Sequence, residues 1–136
     1  MMNAVVVDTD VVSYAFRGAA EYEPYEQDLV GKVAFISFMT WAELMRGALA
    51  RTWGEARRNK LAAFIKSNYA VINSNEAISR AWGELSEEAK SKGRVIQTAD
   101  AWIAATAVAA GVPLLSNNRT DFDYLDTLQL VCHASK

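Results

Sequence analysis

The chain has 136 residues, about half of them hydrophobic, which suits one domain (residues 1–136) with a full core. Its formal net charge is −2 and its pI about 5.4, so it does not live on indiscriminate phosphate contact, and any nucleic-acid contact has to come from a local patch. Cys132 and His133 are the only residues of their kinds, which excludes an intrachain disulfide and a Cys/His zinc centre; as neighbours on a strand they would also point to opposite faces, which argues against a Cys–His nucleophile pair.

Ala4 to Val7 is a short valine-rich run and reads as a buried strand ending at Asp8. Thr9 to Phe16 reads as a short helix closed by Gly18. Pro24 suits the first turn of a second helix reaching about Leu29. Gly31 breaks the chain before a second strand, Val33 to Ser37. Thr40-Trp41-Ala42-Glu43 has the form of a capping box, opening a helix to about Leu49. After Gly54, the residues Leu61, Ala62, Phe64 and Ile65 supply the apolar face of another helix.

Ala70 to Ile72 is a minimal third strand. Asn73, Ser74 and Asn75 are cap residues for a helix from about Glu76 to Lys92, with Ile78, Ala81, Trp82, Leu85 and Ala89 at helical spacing. Thr98 is expected to cap the next helix, with Gly111 at its C-terminal end. Pro113 to Leu115 reads as a fourth strand and Leu128 to Val131 as a fifth, at an edge. Strands that alternate with helices argue for an α/β domain with a mainly parallel sheet. The longest apolar stretch, Ala101 to Leu115, contains Gly111 and Pro113 and is too short to span a bilayer. No basic region precedes the first apolar run, so no signal peptide is expected. The expectation is a soluble, cytoplasmic protein.

In such sheets, sites form beyond the carboxyl ends of the strands. Asp8 ends strand one. Glu43 follows strand two by a short segment. Asp100 opens an alanine-rich helix with no basic residue within one turn. Ser116 and Asn118 lie just past strand four. Each acid has a structural use of its own: Asp8 as a helix cap, Glu43 in the capping box, Asp100 against a helix dipole. Together they aim at one rim, and crowded carboxylates need a cation. Oxygen ligands of this kind suit Mg²⁺ or Mn²⁺, and hence phosphoryl-transfer chemistry. Arg46, Arg51, Arg57, Arg58, Lys60 and Lys66 surround a single acid, Glu55, and with Trp53 form a candidate basic patch. Trp41, Trp82 and Trp102 are expected in the core.

Four segments in order resemble the motifs of the PIN-domain ribonucleases and, within them, the VapC toxins of bacterial toxin–antitoxin pairs. These are Val6-Val7-Asp8-Thr9-Asp10-Val11-Val12, Thr40-Trp41-Ala42-Glu43-Leu44, Thr98-Ala99-Asp100-Ala101-Trp102-Ile103-Ala104-Ala105 and Ser116-Asn117-Asn118-Arg119-Thr120-Asp121-Phe122. The resemblance implies a three-layer α/β/α domain around a mainly parallel sheet of four to five strands. It implies Mg²⁺- or Mn²⁺-dependent hydrolysis of structured RNA, such as tRNA or a ribosomal RNA loop. Asp8, Glu43 and Asp100, with Asp121 as a fourth acid, would be the catalytic residues and hold one or two ions. Thr9, Ser116 and Asn118 would position the loop or the substrate. Similar toxins form homodimers and bind a small VapB-like antitoxin; Tyr14, Phe16, Tyr22 and Tyr25 are candidates for that groove, with core packing as the alternative.

The chain departs from the pattern at three points. Asp10 replaces the common Asn, Ser116 replaces Thr, and Asn118 stands where many relatives carry Asp. Two other functions fit parts of the sequence. One is a catalytically silent PIN-type module that binds RNA or protein. The other is a haloacid-dehalogenase-like phosphatase, since Asp8-Thr9-Asp10-Val11-Val12 fits its nucleophile motif, although its later paired-acid motif is missing.

Overall fold

A computed structural model describes residues 3–135. Five parallel strands form one sheet in the order β3-β2-β1-β4-β5. They are β1 (Ala4–Val7), β2 (Val33–Ser37), β3 (Ala70–Ile72), β4 (Leu114–Leu115) and β5 (Leu130–Val131). The central strand, β1, pairs Val6 with both Phe35 and Leu114 and is buried throughout, which is why it is apolar without alternation. Its pleat still sorts the core. Val5 and Val7 face a layer made by α1 (Thr9–Arg17), α2 (Glu23–Leu29), α3 (Phe38–Ala50) and α4 (Glu55–Asn68). Val6 faces the opposite layer, made by α5 (Glu76–Ser91) and α6 (Thr98–Ala110). The result is the three-layer α/β/α domain expected from the sequence. Among the described residues no helix is long and apolar enough to cross a membrane.

Gly18 and Gly111 end α1 and α6 at φ 66° and 70°, left-handed conformations that a side chain resists. Ala101 and Ile103 to Ala107 are all buried, so α6 is the near-continuously apolar helix its composition implied.

Three expectations need correction. The capping box does not form. Ser37 ends β2 and at once caps α3, its hydroxyl accepting from the Met39 N–H at 3.0 Å. The helix therefore starts before Thr40, which is buried in its interior, and Glu43 projects from the next turn instead of folding back. Thr98 is the first residue of α6 rather than its cap; Gln97 holds the cap position without a side-chain bond. β5 is shorter than expected, because Leu128 is buried in the core before the strand begins. The segment after β4 closes into a helical turn, α7 (Arg119–Phe122), pinned by the fully buried Phe122. A 3-10 turn at Ala20–Tyr22 had no sequence signal.

Candidate active site

Asp8 is the centre of the site. The Asp8 N–H donates to the Leu115 carbonyl at 2.8 Å, which carries the β1–β4 pairing into the rim. Its carboxylate does two jobs. Oδ1 accepts from the Thr9 N–H at 2.7 Å and caps α1, while Oδ2 accepts from the Ser116 hydroxyl at 2.7 Å. The Ser116 hydroxyl also accepts from the Asn118 N–H at 3.1 Å. A helix cap and a site ligand are thus compatible in one side chain. The next residue reaches the second motif: the Thr9 hydroxyl donates to Glu43 Oε1 at 2.7 Å and lies 3.0 Å from the Thr40 hydroxyl.

Asp10 has a role that sequence reasoning missed. Its Oδ1 accepts from the Val11 N–H and its Oδ2 from the Asn117 N–H at 3.0 Å, so it ties α1 to the fourth motif. Fully buried Tyr25 ties the same loop from behind, its hydroxyl 2.6 Å from Asn117 Oδ1 and accepting from the His133 N–H at 2.9 Å. These contacts join residues about a hundred positions apart, and no local pattern announces them. Tyr25 is therefore core. Tyr22 is half-buried in the same layer, while Tyr14 and Phe16 alone of the aromatic candidates line the site.

From the other layer, α6 delivers Asp100 and α7 delivers Asp121, and after burial Asp121 is the largest influence raising the Asp100 carboxyl. Asn118 Nδ2 donates to Asp121 Oδ2, so these two residues act as a pair rather than as alternatives. Asp8, Thr9, Asp10, Glu43, Asp100 and Asn118 line one cleft of about 440 Å³. Ser116 and Asp121 do not line the cleft themselves but are bonded to Asp8 and Asn118, which do.

The electrostatics report crowding. Burial raises the Asp8 carboxyl well above its ordinary value, Asp10 and Asp100 raise it further, and the Ser116 and Thr9 hydrogen bonds oppose them. Asp10 is raised by burial against its own hydrogen bonds. Asp100 is pushed up to about 7, first by burial and then by Asp121, Glu43 and Asp10. Among the described residues none of these acids forms an ion pair with a basic side chain. The donor set is all oxygen, which suits a hard divalent cation and no soft one. No three acidic, His or Cys side chains among the described residues close tightly enough to clasp a bare ion. The fit rests on the chemistry of the donors alone: Mg²⁺ keeps several waters and takes only one or two carboxylates directly. The residues fit the group.

The basic patch is only partly a surface. Arg51 and Trp53 line the cleft beside Arg17. The Arg57 guanidinium lies 3.9 Å from the centre of the Trp53 ring. Arg58, by contrast, is half-buried and donates to the Trp53 carbonyl at 2.8 Å, a structural task. Lys66 lies away from the cleft, near Trp41. Trp82 and Trp102 stack at 5.4 Å between centroids; with Trp41 they are half-buried at the edge of the core rather than enclosed by it.

The model of the PIN domain family matches residues 5–128, nearly the whole fold and all four motifs. The chain belongs to the PIN domain family. Curated relatives of this PIN domain carry VapC names. The VapC ribonuclease Y4jK of Sinorhizobium fredii is 31% identical over 130 residues, covering 88% of the chain and 90% of that protein. Ribonuclease VapC1 of Haemophilus influenzae is 27% identical over 126 residues, covering 91% and 93%. Among solved structures, VapBC2 from Rickettsia felis, bound to a promoter DNA fragment, superposes with a TM-score of 0.83 at 24% identity over 95% of the PIN domain and 98% of that chain. VapBC-1 from nontypeable Haemophilus influenzae gives 0.80 at 25% identity over 95% and 97%. The phosphatase alternative falls with the family match, and Asp10, tied by both oxygens to backbone N–H groups, is not free to act as an acid.

Proposed function

We propose that the chain is a divalent-metal-dependent endoribonuclease, the toxin of a toxin–antitoxin pair. The observation that carries the reading is the convergence of Asp8, Glu43 and Asp100 on one cleft, with Asp121 tied to it through Asn118 and the Asp100 carboxyl pushed up to about 7 by burial and by these neighbouring acids. Curated relatives with ribonuclease names over most of this chain support it.

The chain's own groups prepare the site. Ser116 and the Thr9 N–H hold both oxygens of Asp8, so its orientation is set before substrate arrives. Thr9 does the same for Glu43. Asp100 and Asp121 face them from the other layer and would complete the hold on Mg²⁺ or Mn²⁺. The bound ion would supply a more acidic water and neutralise charge building on the scissile phosphate. In-line attack by water leaves a 3′-hydroxyl and a 5′-phosphate, and no side-chain nucleophile is needed. Ser116 and Asn118 keep the fourth-motif loop in register, and Arg17, Arg51 and Arg57 offer positive charge beside an otherwise acidic cleft. Structured RNA, a tRNA or a ribosomal RNA loop, is the substrate class.

Neighbours solved as VapBC complexes support a VapB-like antitoxin as the partner, and a homodimer is the expected assembly, to be read by light scattering. The test is incubation of total cellular RNA with the purified chain and Mg²⁺ or Mn²⁺, beside Asp8→Asn and EDTA controls. Discrete fragments lost in both controls are expected. Intact RNA with no metal binding by calorimetry would return the chain to the silent-module reading, and full activity in folded D8N would remove Asp8 from the mechanism.

A further inference from the structure

Four arginines lie near half-buried aromatic rings, and two of them sit close over the ring, one from each helical layer, while Arg17 and Arg51 stand off at 5.6 and 5.9 Å from Tyr14 and Trp53. Arg57 covers Trp53 at 3.9 Å, and Trp53 packs with the α1–α4 layer. Arg94 covers Tyr124 at 4.1 Å, and Tyr124 packs with the α5–α6 layer. Both arginines are exposed. Each platform is anchored by a further arginine contact to main chain: Arg58 donates to the Trp53 carbonyl at 2.8 Å, and Arg94 donates to the Thr120 carbonyl at 2.9 Å, next to Asp121. Trp53 lines the cleft directly. Tyr124 is close enough to the acids to register them: burial raises its hydroxyl, Arg94 pulls it down, and the charges of Asp121 and Asp100 raise it again.

Asp8 stands at the end of the central strand, between the two layers. An arginine backed by an aromatic ring is a ready seat for an unpaired base, which can stack on the guanidinium while the charge meets phosphate. A duplex presents no free base faces. We infer that Arg94 on Tyr124 is a second nucleotide seat, paired with Arg57 on Trp53, and that the substrate crosses the rim as a single strand with one flanking base on each. The scissile phosphate then lies over the acids between the seats. This rests on the ribonuclease reading above and adds to it the second seat and the path of the RNA across the rim.

The test uses the Asp8→Asn protein, so that RNA is bound and not consumed. The probe is a fluorescein-labelled mixed-sequence decaribonucleotide, alone or annealed to its complement, with Mn²⁺ present. Single strand is expected to bind at least about tenfold tighter than duplex. Adding Arg94→Ala or Tyr124→Ala should each weaken single-strand binding by about tenfold, within the range for one stacked base. Arg94→Lys should lose most of the same factor, because it keeps charge and lacks the plane. Mn²⁺ affinity by calorimetry, measured on the same substitutions in a chain that keeps Asp8, should not move.

Single-strand binding that survives R94A and Y124A but falls with Trp53→Ala would remove the second seat and leave the ribonuclease reading intact. Parent-like binding by R94K would reduce the contact to charge alone. Loss of Mn²⁺ binding in Y124A would make the pair a support for Asp121 instead. A preference for duplex would overturn the single-strand path, whereas failure of the ribonuclease reading would show separately, as uncut total RNA with the unmodified chain.

Discussion

Asp100→Asn should stabilise the metal-free protein at neutral and higher pH. Asp100 titrates near 7 in the fold against an ordinary 3.8, with burial as the main cause and Asp121, Glu43 and Asp10 adding repulsion. A carboxyl raised on folding contributes stability that is complete below its unfolded value and is lost as pH climbs through its folded value. At 1.36 kcal/mol per pH unit the span corresponds to roughly 4 kcal/mol. Asp100 is half-open to the cleft, so solvent screening brings the expectation down to about 1–2 kcal/mol. Asn carries no charge at any pH. In EDTA at pH 8 the variant should therefore unfold later by about 1–2 kcal/mol, or several degrees in Tm, while at pH 5 the gap should have shrunk to less than half of that, closing as pH falls toward 3.8. Urea unfolding at both pH values measures it. Mn²⁺ should then stabilise the unmodified protein and do little for the variant. If D100N were equally or less stable than the parent at pH 8 without metal, Asp100 would not be under electrostatic stress and the crowding argument would fail.

Three other outcomes follow from particular contacts. Mn²⁺ affinity, followed by calorimetry, should fall about tenfold from pH 8 to pH 6 as protons compete at Asp100; a flat profile would place the ion elsewhere. Tyr25→Phe strips the buried partner from the His133 N–H and from Asn117, and should cost about 1–3 kcal/mol in urea unfolding. Phe122→Ala opens a hole under α7 and should cost about 3–5 kcal/mol; because Phe122 holds the turn that carries Asp121, RNA cleavage should drop even at temperatures where the variant stays folded.

How far these features could be read from the chain depends on the range of the interaction. β1, α1, β2, β3 and α5 were legible because their signals are local: a valine run, a glycine stop, an asparagine cap, helical spacing. The motifs were legible for the same reason, and strand-end geometry brought them to one rim. Where two local signals competed, reading failed. Ser37 and Thr40 both suit a cap, and only the end of β2 decides that Ser37 takes it. The helical turn that carries Asp121 and Phe122 had no local signal, because the burial that makes it belongs to distant partners. Asp10 was read as a departure from the common Asn, and its link to Asn117 in the fourth motif was invisible. The same holds for Tyr25, whose hydroxyl serves a loop and a tail from the far end of the chain.

The convergence of acids is tested most directly by crystals grown with Mn²⁺ and measured at the manganese absorption edge. The expected map has an anomalous peak in the cleft, within direct or one-water reach of Asp8 and Asp100, and lacks it in crystals of D8N. A folded, well-ordered protein with no peak between these carboxylates, or a peak that D8N leaves in place, would contradict the account.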